Sequence, residues 1–451
     1  MRQKKSFSGK EADGPTAEIH INDKPIYLED INLYSRFVMK RKILILVLFQ
    51  AVFFRFAADA KEPVLLHTIM LSGEYRQTVS RLVQEFNKAN NDIELSHIVS
   101  LNEVFHSKRE LCLKDEQCPV DIFLGFAGYN FEKNVVRGNI EPIDALWKQE
   151  NFDAYFADLK GAMTVQGKQY GLPLSYYPWG FFYKKSLFTK FRLKPPQTWE
   201  EFLQICETLK AADITPIIIG TKTPFTAASW FSYLNLRLHG LEFHTQLTAG
   251  RILYTDKRVR KTLEFWKDLI EKNYFFKNSE KETYLSVLPY LYRDMGGMYL
   301  MGNIILSKIP QRIKSDIGFF RFPRISPSRP LYEEAPLDIL FIPRQSKHKE
   351  AAKKVLAFFA LPENLYQFNE AAGYLSPNIK SRKNDDPLLQ ITSDHLKSSD
   401  GFSYFFNRNS PPEMGRPGTK LLGRFVTNPT NIDYYIKEFE QLRVTTGKDN
   451  K

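Results

Sequence analysis

The sequence predicts an α/β fold built as two lobes, and three observations carry that expectation. At 451 residues the chain exceeds what one core of ordinary size holds, so two lobes are the default. Short apolar strands alternate with segments of helical period along most of its length. An aromatic stretch, residues 167–185, lies between two strand-like runs and leads toward a capped helix.

The first strand runs from Val64 to Met70, and the helix Tyr75 to Ala89 follows with Val79, Leu82, Val83 and Phe86 in helical register. Ile93 to Val99 and Val120 to Phe126 are the next strands, and the intervening helices lead us to expect a mainly parallel sheet. Gly138, Ile140 and Pro142 turn the chain into a short helix. Tyr170, Leu172 and Leu174 then alternate with small or polar residues as a strand would, Phe181 to Tyr183 are strand formers, and Pro173 and Pro178 punctuate the crossing between them. Thr198 and Glu201 form a capping box ahead of the helix Trp199 to Ala211. Thr215 to Gly220 reads as a buried strand. Trp230 to Leu238, Val259 to Ile270 and Leu285 to Asp294 read as helices, and Gly297 to Asn303 as a strand ending in a small-residue turn. The chain is expected to cross back at Ile317 to Pro323. A strand, Asp338 to Pro343, and a helix, Lys349 to Ala360, then complete the first lobe, and Ala372 to Pro377 cross again. The remainder, to about Leu442, is helical where it shows a period, with Tyr434, Tyr435, Phe439 and Leu442 as its last apolar face.

Residues 39–60 have the order of a cleaved leader. Met39-Lys40-Arg41-Lys42 is a charged start, Ile43 to Phe54 an apolar stretch interrupted at Gln50, and Ala58-Asp59-Ala60 a small-residue cleavage site. Cleavage is expected after Ala60, which makes the mature protein exported and periplasmic, and residues 1–38 read as an extension from a misassigned upstream start. In an exporting compartment Cys112 and Cys118 can oxidise to a small loop, whereas Cys206, among Phe202, Leu203, Ile205 and Leu209, reads as a buried free thiol.

The net charge of +12 comes from Lys and Arg spread along the chain rather than blocked, which argues against nucleic acid or lipid as a partner. Eight His are scattered without a metal-ligand spacing, and no nucleophile elbow or phosphate loop is present, so no catalytic residue, metal or cofactor is expected. Carboxylates are plentiful enough that a carbohydrate-active enzyme is excluded only weakly.

Several segments together carry a resemblance. They are Gly138-x-Ile140-x-Pro142, Gly167-Lys168-x-Tyr170-Gly171-x-Pro173, Pro196-x-Thr198-Trp199-Glu200-Glu201-Phe202, Met298-Tyr299-Leu300-x-Gly302, Gly318-Phe319-Phe320-x-Phe322-Pro323 and Lys349-Glu350-Ala351-Ala352. In this order, over residues 61–443, the chain resembles the sugar-type, maltose-binding-protein-like extracellular solute-binding proteins that serve ABC importers. The resemblance implies an α/β, two-lobe periplasmic binding protein fold with three hinge crossovers, near residues 171–183, 317–325 and 372–379. The N-terminal lobe would hold 61–175 and 324–373, and the C-terminal lobe 176–318 and 378–451. It further implies a monomer that captures a small sugar or oligosaccharide between the lobes and delivers it to permease subunits in the inner membrane. A ligand-presenting protein for a membrane sensor would need the same closed surface.

A sugar offers apolar C–H faces and a rim of hydroxyls, so its site needs aromatic planes and hydrogen-bonding groups. With aromatics at 14% of the chain, the platform candidates are Tyr177 and Trp179 at the first crossing, Trp230, Tyr129, and Tyr374 at the third. The polar candidates are Ser72, Glu74, Asn130, Asn303 and Asp338. Relatives often carry a Trp shortly after the glycine of the Gly302 turn; here Asn303-Ile304-Ile305 follows, which argues against a maltodextrin-like ligand.

Overall fold

The computed structural model describes residues 61–69, 73–381 and 385–448. The expected leader, its cleavage site and the upstream extension lie outside the described residues, as does Ser72. Two sheets organise the chain from Glu62 onward. Strands β1 (Glu62–Ile69), β2 (Ile93–Ser100), β3 (Ile122–Phe126) and β4 (Leu172–Tyr176) belong to the first. The second holds β5 (Trp179–Lys184), β6 (Thr215–Ile218), β7 (Gly296–Gly302) and β8 (Ile317–Phe320), after which β9 (Leu337–Phe341) returns to the first. The strand orders are β2-β1-β3-β9-β4 and β8-β5-β7-β6.

Neither sheet is mainly parallel, which corrects the expectation from the alternating pattern. β1 pairs parallel with β2 and β3, and β6 with β7, each pair joined through helices. β9 is antiparallel to both of its neighbours, and β5 to β7 and β8. Strands that enter a sheet by crossing from the other lobe run against the local direction, and a helix-counting pattern does not register such crossings.

Local chemistry accounts for the helices that cover the sheets. In helix Gly73–Ala89, Tyr75, Val79, Leu82 and Phe86 are buried, three or four residues apart on one face. Tyr75 meets Phe368 edge-on at 5.0 Å and Phe86 meets Phe358 at 5.3 Å, which joins this helix to the pair Lys349–Ala360 and Pro362–Ala372. Helix Trp199–Ala211 begins with the expected capping box: Glu201 N–H donates to Thr198 Oγ1 and Thr198 N–H to the Glu201 carboxylate. In the second lobe, helix Phe225–His239 is buried on nearly every side because β7, helix Pro412–Thr427 and helix Lys257–Glu271 all pack on it. Each large apolar side chain buried in this way contributes about 1.5–3 kcal/mol.

Three passages link the sheets. β4 and β5 are separated only by Tyr177-Pro178. The chain returns between Phe320 and Leu337, where Tyr332–Glu334 pairs in parallel with Gly401–Ser403 of the C-terminal segment. The third passage lies beside the first, since Tyr176 and Leu375 exchange backbone hydrogen bonds of 3.2 and 3.0 Å. This side-by-side arrangement positions the site.

Candidate functional site

A cavity of about 580 Å³ opens where the passages meet, lined from the first lobe by Phe126, Asn130 and Asp338 and from the second by Thr223, Phe225 and Tyr284. Its floor is built by the exchange between Tyr176 and Leu375, which sets Tyr177 and Tyr374 together: their rings stack with centroids 4.7 Å apart and planes at 28°. Asp338 reaches the same floor from β9, where the ladder to β4 shifts register between Asp338 and Ile339. A bulge of this kind re-aims a side chain at the end of a strand.

Arg408 completes the group. It stands in the short helix Phe406–Asn409, and Gly128 makes room for that helix: its φ is 116°, and a Cβ there would come within 2.9 Å of the Arg408 carbonyl oxygen. Arg408 Nη2 lies 3.1 Å from Asp338 Oδ1 and also donates to the Tyr177 hydroxyl, which in turn donates to Asp338 Oδ1 at 3.3 Å. The guanidinium lies 4.0 Å from the Phe126 ring centre and 5.2 Å from that of Phe405. Burial pushes the Asp338 carboxyl up to about 6, against the pull of Arg408, and burial also raises Tyr177 and Tyr374. Arg109, Lys114, Lys133, Arg137 and Arg416 also line the cavity, with Glu110 and Glu413. Arg109 donates to Leu124 O and approaches His106 Nδ1 at 3.2 Å; burial, then Arg109, pushes His106 down to about 3.

Asn130, Tyr177, Asp338 and Tyr374 therefore come together at the cavity. Among the described residues, the other sequence candidates do not line it. Trp230 is wholly buried in the second lobe among Phe181, Phe275 and Phe322. Trp179 is 1% exposed, edge-on to Phe405 and Phe225, and lies so close to β7 that a Cβ at Gly302 would sit 2.5 Å from its indole nitrogen. It supports the wall from behind. Asn303 is buried and donates to Thr392 Oγ1 at 2.9 Å, while the next residue, Ile304, reaches the cavity. Tyr129 is half-buried under the Lys133 ammonium, and Glu74 is exposed in the first turn of its helix. Cys112 and Cys118 form a disulfide with Cα atoms 5.0 Å apart, and Cys206 is a buried free thiol.

Sequence reading passed over Phe405, Asn407, Arg408 and Arg416. A signal was present: Phe402, Tyr404, Phe405 and Phe406 form an aromatic cluster like that of Tyr176 to Tyr183, and it runs into Asn407-Arg408-Asn409. Among the described residues no group of three or more His, Cys, Asp or Glu is placed to hold a metal ion, and no helix is long and apolar enough to cross a membrane.

Two α/β lobes linked by three passages, with a cavity between them floored by stacked tyrosines, have the fold of a two-lobed binding protein. Residues 72–365 match the bacterial extracellular solute-binding protein family, and the chain belongs to it. An uncharacterised ABC transporter extracellular-binding protein of Pyrococcus horikoshii is 23% identical over 289 residues, 62% of this chain and 64% of that protein, so the chain spans a little under two thirds of its length. The melibiose/raffinose/stachyose-binding protein MelE of Bacillus subtilis is 20% identical over 385 residues, 76% of this chain and 82% of MelE. Among solved structures, the bacterial solute receptor AcbH, described as having an exclusive preference for β-D-galactopyranose, superposes with a TM-score of 0.73 at 23% identity. That match covers 87% of this chain and 98% of AcbH.

Proposed function

We propose that this protein captures a sugar or oligosaccharide between its lobes and delivers it to the permease of an ABC importer. The carrying observation is the Tyr177–Tyr374 stack beside Asp338 and Arg408 at the junction of the lobes. Aromatic faces set next to charged hydrogen-bonding groups match the two kinds of surface a sugar ring offers. The sugars named for MelE and AcbH support the same ligand class.

In this reading Tyr177, Tyr374, Asn130 and Asp338 contact the ligand, with Phe405 and Arg408 from the C-terminal segment, and binding proceeds without chemical turnover. Residues 61–175 and 324–373 serve as one lobe and 176–318 with 378–451 as the other. The protein acts as a periplasmic monomer whose mature chain starts at Lys61, and N-terminal sequencing of the exported form checks that start. The function is tested by thermal melts of the purified mature chain against a panel of mono- and oligosaccharides, with the added sugar recovered and analysed afterwards. A raised midpoint with unchanged sugar is expected. Cleavage of the sugar, or no response to any saccharide, contradicts the proposal.

A further inference from the structure

The charges around the cavity are unbalanced. Six Lys and Arg side chains line it against three carboxylates, those of Glu110, Asp338 and Glu413. Arg408 has a side chain only 10% exposed, and its two amino nitrogens differ: Nη2 is engaged by Asp338 and Tyr177, whereas Nη1 is buried with no hydrogen-bond partner among the described residues. The adjoining Asn407 Oδ1 is likewise buried and unpartnered. Burial lowers Arg109 to about 10, against the pull of Glu110, and the nearby Arg408 and Arg416 charges add to the fall. Arg416 lines the cavity, is exposed and has no ion-pair partner among the described residues. A buried guanidinium with an unused donor, among like charges and in a cleft that concentrates their field, is an arrangement an oxyanion relieves. Neutral hydroxyls satisfy the donor but leave the repulsion.

Resting on the sugar-binding reading above, we propose that the ligand is an acidic saccharide. Its anionic oxygen group, a carboxylate or a phosphate ester, is received by Arg408 with Arg109 and Arg416, while its ring lies toward Tyr177 and Tyr374. Asp338 holds Arg408 in position and keeps the ligand's negative end on the arginine side.

Calorimetric titration of the mature chain with galactose, galacturonic acid, digalacturonate, galactose 6-phosphate and citrate tests this. An acidic sugar is expected to bind at least about tenfold more tightly than galactose, with the margin shrinking between low salt and about 0.15 M ionic strength. The uronate and phosphate arms identify the oxyanion. Arg408→Gln is expected to remove most of the preference, and because it leaves Asp338 unpaired, Arg416→Gln serves as the variant that spares the buried pair. It is expected to weaken the acidic sugar about threefold, more than it weakens galactose. Galactose binding as tightly as the acidic sugars, or failure of every acidic sugar, overturns the proposal. The first of these outcomes leaves sugar capture standing. Citrate binding more tightly than any saccharide overturns the acidic-saccharide assignment through the sugar reading itself, with the anion preference retained.

Discussion

Arg408 and Asp338 join the two lobes through a buried contact, Nη2 to Oδ1 at 3.1 Å, between a short helix packed on the second lobe and the returning strand β9 of the first. With side chains 10% and 6% exposed, the pair is held away from water, so removing one partner strands the other charge. Asp338→Ala is expected to cost about 3–5 kcal/mol in chemical denaturation, and replacing both residues together by apolar ones of similar volume to cost far less. Equal losses for the single and double variants would show that the pair is not the source.

Two buried carboxyls set a pH dependence with a definite sign. Asp338 rises to about 6, and Glu334 rises to about 8 through burial, against the pull of the Ser232 and Ser229 hydroxyls beside it. A carboxyl whose value is raised in the folded state stabilises the fold while protonated, so that contribution is complete below the unfolded value and is lost as pH climbs through the folded one. Stability should therefore fall between about pH 4 and 6 on account of Asp338 and on toward pH 8 on account of Glu334. Thermal midpoints of Glu334→Gln measured from pH 5 to 8 are expected to decline less than those of the wild type. Parallel curves would assign the dependence elsewhere.

Trp230 and Tyr177 separate core from site. Trp230→Ala opens a hole among Phe181, Phe275 and Phe322 and is expected to destabilise by about 3–5 kcal/mol, without a specific effect on ligand affinity in the fraction that folds. Tyr177→Phe keeps the stack on Tyr374 and removes the hydroxyl that bonds Asp338 and Arg408, so it should weaken binding by about tenfold with a smaller loss of stability. Titration and melts on the same preparations tell the two patterns apart.

The difference between those two aromatics also marks how far the sequence could be read. The capping box at Thr198 and Glu201, the helix face of Val79, Leu82 and Phe86 and the passage at Tyr177-Pro178 are local features, and each was legible from neighbouring residues. Tyr177, Asp338 and Tyr374 were legible because two sit at passages and the third begins a strand. Whether an aromatic fills a core or faces a cleft depends on partners far along the chain, and the same composition serves both; Trp230 and Tyr177 look alike until Phe322 and Arg408 are in place. Arg408 was hidden for the same reason, since its partner Asp338 lies in another lobe and the segment holding it carries no helical period. The antiparallel returns of β5 and β9 were hidden because pairing direction is not written in hydrophobic alternation.

The three cysteines give a redox expectation. Cys112 and Cys118 are bridged and Cys206 is buried as a thiol. Counting thiols in denaturant on protein recovered from an oxidising compartment should return a single one, and closing so short a loop is expected to contribute about 2 kcal/mol that a reductant removes. Three reactive thiols in such a preparation would rule the bridge out.

Ligand capture at the junction of the lobes is tested most directly by mass spectrometry of the mature protein isolated under native conditions from its own cells, repeated on Tyr374→Ala. The wild type should carry a small molecule whose fragments are those of a saccharide, and the variant, if folded by its melting profile, should arrive largely empty because it has lost half of the Tyr177–Tyr374 platform. A folded variant that carries the saccharide as fully as the wild type would place capture somewhere other than this cavity.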